Sequence, residues 1–234
     1  MLLGLAAFAG SLLWYMPVRF AAHQAGFPDT GPLATSRLSG TVWQGQMQID
    51  GGHLVTWVVD GAASLWTFGF AADWRLTGPG TDLAGEVVGW PGGVDFGPAS
   101  GVAAWPLVAA LLPGLPIACS GQARFAAVAF GFDATERTGS GTVTAPAGEC
   151  ARIDRPDDRI PRPALHTQIS TQPDAVQLLV TPQDGARVAL VTARLTTEDR
   201  LVVTVHREGA ALVPGMPKTA DSELDLPVSI LLGG

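Results

Sequence analysis

Glycine and proline cut this chain into pieces too short for most helices. There are 29 Gly and 18 Pro among 234 residues. After the first stretch they separate runs of about 5–10 residues, the length of ordinary strands. The segment from Gln44 to Ile49 alternates: Gln44, Gln46 and Gln48 fall on one face, and Trp43, Met47 and Ile49 on the other. Asp50-Gly51-Gly52 then signals a hairpin turn. Strands are expected over Leu54 to Val59, Phe68 to Leu76, Thr81 to Val88, Gly93 to Val102, Ile117 to Phe132 and Gly141 to Ala145. More follow over Leu165 to Thr171, Ala175 to Thr181, Ala186 to Thr196, Leu201 to His206 and Leu224 to Leu232. Ala62 to Trp66 predicts one helical turn. Trp105 to Leu112 predicts a short helix, with Pro106 in its first turn and Pro113-Gly114 ending it.

The chain opens differently. Leu2 to Val18 is an almost unbroken apolar run that includes Leu2, Leu3, Leu5, Phe8, Leu12 and Leu13 and ends in Trp14-Tyr15. As a helix it would be about 26 Å long, the short end of what crosses a bilayer core. Trp14 and Tyr15 have the amphipathic rings expected at the headgroup level. A cleaved signal peptide is the rival reading. It needs a basic start and a small-x-small cleavage site, and no Lys or Arg precedes the run. The expectation is an uncleaved membrane anchor.

Cys119 and Cys150 stand without a His or further Cys at metal-ligand spacing. In an oxidising compartment they read as one disulfide; the alternative is two separate buried thiols. Anchor and cysteine pair together favour a bacterial periplasm. The expected fold is mainly β: a single N-terminal transmembrane helix, then a curved, largely antiparallel β-sheet domain with one or two short helices. Its expected division is residues 1–22 as anchor, 23–151 as the first half of the β domain, 152–163 as a charged Pro-rich connector, and 164–234 as the second half. Residues 152–163 hold four Arg, three Asp and three Pro, the composition of a solvated connector or protruding loop.

Composition narrows the function. A formal charge of -7 argues against nucleic acid and against polybasic attachment to anionic lipid. Charged residues make up only 15% of the chain, against about 25% in soluble domains. An apolar surface toward lipid, a partner or a groove follows. Val176 to Val180 and Leu201 to Val205 read as apolar on both faces. Such strands need cover on two sides, or a sheet curled over an apolar trough whose edges short helices close. The sequence has no Gly-x-Ser-x-Gly elbow, His-Glu-x-x-His helix or phosphate-binding loop. Ala118-Cys-Ser-Gly121 has no nearby His to activate it. His23, His53, His166 and His206 are isolated in sequence; His53 and His206 read as partly exposed structural imidazoles. Trp43, Trp57 and Trp74 read as core. No catalytic residue, cofactor or metal is expected. Ser39-Gly-Thr-Val42 recurs as Ser140-Gly-Thr-Val143, a weak internal echo.

The segment Ser39-Gly40-Thr41-Val42-Trp43-Gln44-Gly45, after a short apolar N-terminus, resembles the type II secretion system protein N family. The step from the Trp105 helix into Leu115-Pro-Ile-Ala-Cys-Ser-Gly-Gln122 is also similar to that family's pattern. The resemblance implies a single-pass inner-membrane protein with a periplasmic β domain, an accessory part of the machine that exports folded proteins. It also implies a β domain in the style of the AsmA-type proteins, whose curled sheets present apolar grooves to lipid. The expected function is therefore a non-catalytic subunit in assembly or scaffolding of a type II secretion-like complex. Two alternatives remain: a periplasmic lipid-binding or lipid-transfer module, and an accessory subunit of another membrane complex. The expected partners are membrane or periplasmic subunits and membrane lipid, with no nucleic acid.

Overall fold

The computed structural model describes residues 11, 15–24, 37–66, 69–111, 116–133, 135–184, 188–212 and 221–227. The elements are α1 (Val18–Gln24), β1 (Leu38–Gly40), β2 (Gln44–Ile49), β3 (His53–Val59), α2 (Gly61–Trp66), β4 (Phe70–Gly78), β5 (Thr81–Trp90), β6 (Gly93–Ala104) and α3 (Trp105–Leu111). Then come β7 (Ile117–Cys119), β8 (Gln122–Asp133), β9 (Arg137–Ala145), β10 (Gly148–Arg152), β11 (Arg155–Arg162) and β12 (Leu165–Gln172). The last are β13 (Ala175–Pro182), β14 (Val191–Thr196), β15 (Arg200–Val205), α4 (Arg207–Ala210) and β16 (Ser222–Pro227).

Thirteen strands form one sheet, in the order β1-β2-β3-β4-β5-β6-β8-β9-β12-β13-β14-β15-β16. Every pairing is antiparallel, so the chain meanders from one edge to the other. The two interruptions carry β7 and the β10–β11 hairpin, which form a separate three-stranded sheet in the order β11-β10-β7. The expected mainly β, antiparallel architecture with a few short helices is what forms.

Period-two alternation explains the sheet. On β4, Phe70, Ala72, Trp74 and Leu76 share one face, while Asp73 and Arg75 share the other. Cross-strand pairing extends that inner face through Trp57, Trp74 and Gly85, and through Val55, Leu76 and Leu83. On the far side it continues through Ile169, Leu178 and Ala193. Two buried clusters sit on this face: Ile49, Leu76, Leu83, Ala103 and Leu107, and beyond them Val128, Ile169 and Val176. Phe125 packs against both. Val176 is fully buried, which contributes about 1.5–3 kcal/mol. The outer face carries cross-strand ion pairs such as Arg75–Asp82 and Arg194–Asp174. Being exposed and screened by water, such pairs add little to stability. Irregularities between Ala84 and Val87, Phe96 and Gly101, and Ala126 and Ala129 bend the central strands.

Turns follow local chemistry. Gly51 and Gly52 take positive φ of 75° and 79° between β2 and β3, so Asp50-Gly51-Gly52 is the expected turn. The Asp133 carboxylate accepts from the N–H of Thr135 and of Glu136 at the end of β8. Those bonds hold its pKa below the ordinary carboxylate value.

The expected anchor falls largely outside the described residues, and several other expectations need correction. No described helix is long and apolar enough to cross a membrane. Leu2, Leu3, Leu5, Phe8, Leu12, Leu13 and Trp14 of the expected anchor lie outside the described residues. Of its end, Tyr15 is 73% exposed, and Val18–Gln24 is a short helix with Ala22 buried. The run from Ile117 to Phe132 is two strands in two sheets, because the chain turns at Ser120-Gly121, where Gly121 has φ +98°. The charged segment 152–163 is largely strand β11, paired with β10. One continuous sheet therefore passes from the expected first half to the expected second, through the β9–β12 pairing. Strands β13 and β15 do carry apolar residues on both faces, but on the second face their neighbours are polar: Leu179 lies between Gln168 and Thr192, and Val202 between Arg194 and Asp225. His53 is 2% exposed, not partly exposed. The echo is no architectural repeat, since Ser39 lies in an edge strand opposite Gln46, and Ser140 in a central strand opposite Ser170.

Candidate functional site

A cavity of about 490 Å³ beside Thr56, Asp73, Arg75 and Glu86 has a more polar lining, and the inner face carries the most apolar cavities of the described structure. Two apolar cavities lie there, each under a different cover.

The first holds about 420 Å³. Its floor is inner-face side chains of the central strands, among them Ala123, Ala145, Leu165 and Val180. Trp105 and Val108 of α3 wall one side, and Leu190 and Leu212 another. The three-stranded sheet roofs it with Ile117, Cys119 and Cys150. Cys119 and Cys150 are directly opposed in β7 and β10, with Cα atoms 4.1 Å apart, and they form the expected disulfide. That bond fastens the short β7 into the flap. Ser120 adds to the joint: its hydroxyl accepts from the N–H of Glu149, and its own N–H donates to the Glu149 carbonyl. Among the described residues, the only charged group lining this cavity is Arg162, at the end of β11.

The second cavity holds about 490 Å³. Val18, Ala21 and Ala22 of α1 cover it, and Met47, Trp57, Trp74 and Phe96 line the sheet below. Arg19 holds α1 against the sheet edge through a hydrogen bond from Nε to the Leu38 carbonyl, 2.6 Å. Pro17 bridges to Thr41 beside it. Both volumes fall within the range of about 300–1,000 Å³ typical of small-molecule sites.

The expected motif residues Ser39, Gly40, Thr41, Val42, Trp43, Gln44 and Gly45 form the hairpin β1–β2 at the sheet edge. Trp57 is fixed there, donating from Nε1 to the Val42 carbonyl at 3.2 Å. Thr41 closes the turn with its N–H and hydroxyl, both donating to the Gln44 carbonyl. Gln44, Gln46 and Gln48 face outward, as the alternation predicts, with Met47 and Ile49 inward. Trp43 is half-buried and precedes β2. The hairpin borders the second cavity through Leu38, Val42 and Met47.

Two histidines, His53 and His206, are held by hydrogen bonds within the fold. His53 is buried, with Nδ1 donating to the Asp50 carbonyl at 3.1 Å and Nε2 without a partner. Its ring lies flat on Gly78. His206 bridges Thr192 Oγ1, 3.0 Å from Nε2, and Asp221, 3.3 Å from Nδ1. The order Thr–His–Asp has the outline of an acyl-transfer relay. However, Asp221 also accepts from the Arg207 N–H at the start of α4. None of the three lines either cavity. The group ties α4 and β16 to β14. Among the described residues no cluster of His, Cys, Asp or Glu has the geometry of a metal site.

Arg162 is the cavity residue that sequence reasoning missed, merged there with a solvated connector. Arg152, Arg155 and Arg159 each have an aspartate within two residues, whereas Arg162 is flanked by Pro161 and Pro163. That contrast was the available signal.

No protein-family model, curated protein or solved structure matches this chain.

Proposed function

We propose that this chain is a non-catalytic module of the bacterial envelope whose inner sheet face holds the acyl chains of lipid. One observation carries the reading: both inner-face cavities are apolar and each has its own cover, a disulfide-fastened flap in one case and a short helix in the other. A sheet face serving only as a packed core closes such volumes, because interiors approach crystal-like density. The low charge content and the apolar opening sequence are consistent with work at a membrane. In this reading the N-terminal run is a single-pass inner-membrane anchor, and the domain curls over lipid in the periplasm, where the disulfide persists.

A second reading makes the chain an assembly subunit of a type II secretion-like complex. Its support is that the resembling segment from Ser39 to Gly45 forms a hairpin at one edge of the sheet, where only part of the backbone is covered by the Pro17–Arg19 segment. An edge strand offers unpaired backbone groups to another chain.

One experiment separates the two. The tagged chain is extracted in mild detergent, and its proteins and lipids are identified by mass spectrometry. The acyl-binding reading expects lipid retained at fixed stoichiometry, with no stoichiometric protein partner. Recovery of secretion subunits on a lipid-free chain overturns it in favour of the second reading.

A further inference from the structure

The flap cavity is apolar except at one point. Arg162 is half-buried, and its guanidinium donates to neutral carbonyls alone: Pro146 at 3.0 Å, Pro163 at 3.4 Å and Ser120 at 3.5 Å. The last two are long enough to be weak. By contrast, Arg75, Arg137, Arg152, Arg194 and Arg200 each hold an aspartate. Among the described residues no carboxylate lies within ion-pair distance of Arg162. A guanidinium has five N–H donors, so donors remain beyond these three bonds. Burial on the apolar wall draws its pKa down, yet an arginine stays protonated near neutral pH. A partly desolvated cation without an anion is unfavourable. Its place beside an apolar cavity shows where an anion restores the balance.

We propose that the flap cavity binds a long-chain fatty acid, its alkyl chain lying along the apolar lining and its carboxylate held by Arg162. The proposal rests on the acyl-binding reading above and adds the head group to it. The occupant's class follows from charge and size. One guanidinium cation balances the single negative charge of one carboxylate, which can accept from a donor left over by the three carbonyls. A phosphate monoester brings a second negative charge, and among the described residues the lining offers no second cation: its other polar side chains include Ser120 and Gln122. The cavity, at about 420 Å³, lies toward the lower end of ligand sites, which span about 300–1,000 Å³. That suits one alkyl chain rather than two.

The test compares palmitate with cetyl alcohol, which has the same chain length and no charge, on the full, delipidated chain. The unaltered protein is expected to bind palmitate at least about tenfold more tightly than the alcohol, the advantage of a charge-assisted pair. Arg162→Gln is expected to remove that advantage while leaving alcohol binding unchanged, which also reports an intact cavity. Arg162→Lys keeps the charge but loses the planar guanidinium that the Pro146 carbonyl orients, so it should retain only part of the preference. Should Arg162→Gln fail to fold, the unaltered chain still decides. Its preference for palmitate must disappear when the medium is acidified below the probe's own carboxyl pKa. Equal affinity for both probes in the unaltered chain, or a preference that survives Arg162→Gln, overturns the assignment of Arg162 and leaves the acyl-binding reading standing. Failure of both probes to bind the unaltered chain removes the acyl-binding reading itself.

Discussion

A methyl group at residue 45 would collide with two neighbours. A Cβ there would lie 2.3 Å from Trp57 Cζ2 and 2.6 Å from the Ser39 carbonyl oxygen. The indole is fixed by its bond to Val42, so it cannot swing aside without losing that bond. Gly45→Ala is expected to cost about 1–3 kcal/mol, the usual price of overpacking. Gly61→Ala is the control, since nothing lies within 4 Å of its added Cβ. Urea denaturation should separate the two variants; equal midpoints would refute the close-packed hairpin. This contact gives the Ser39–Gly45 segment a physical reason for its glycine that the sequence alone did not supply. Residue roles were legible where alternation set them: Met47, Ile49, Trp57 and Trp74 all turn to the packed face. They were not legible where a distant strand decides. His53 looked like an exposed strand start, but Gly78 of β4 leaves a flat surface that the ring covers. Nothing near His53 in sequence announces that glycine.

At the scale of elements, the flap is the part that the disulfide fastens covalently, beside the short β7–β10 pairing and the Ser120–Glu149 hydrogen bonds. Strand β7 is three residues long and pairs only with β10. The two cysteines are 31 residues apart, and closing a loop of that length contributes about 3–4 kcal/mol in the chain-entropy model. Reduction is expected to lower the unfolding free energy by about that amount. It should also free β7 first, so that amide exchange at Ile117–Cys119 accelerates beyond the global change. If melting and local exchange are both unaffected by reductant, the flap does not depend on the bond. The pairing of Cys119 with Cys150 was readable from the sequence, but the sheet it joins was not. Residues 155–162 have the Arg, Asp and Pro content of a solvated segment, and they are indeed mostly exposed. They are nevertheless a strand, because β11 sits at the edge of its sheet. An edge strand tolerates Pro156 and Pro161, whose missing N–H groups need no second partner. Composition reports exposure there and cannot report which neighbour supplies the hydrogen bonds.

For the whole molecule, the question is whether one sheet makes one cooperative unit. The sequence suggested two halves of one β domain with a connector at 152–163. The sheet crosses that point by pairing β9 with β12 over six residue pairs, and Phe125 packs into both buried clusters. All seven tryptophans lie at or before Trp105, so indole fluorescence reports the first half alone. Far-ultraviolet circular dichroism reports strands throughout. A single unit predicts that the two signals give superimposable denaturant transitions, the standard sign of all-or-none unfolding. Two independent halves would give a dichroism curve that continues to change after, or begins before, the fluorescence transition. The expected outcome is coincidence, because splitting the sheet at β9–β12 would expose an inner apolar face of Val143, Ile169 and Leu178 to water. The same continuity bears on ligand binding. The central strands floor the flap cavity, and β2 to β6 floor the other. An alkyl chain that fills either cavity therefore stabilises the unit as a whole, and both transitions should move together to higher denaturant when ligand is present.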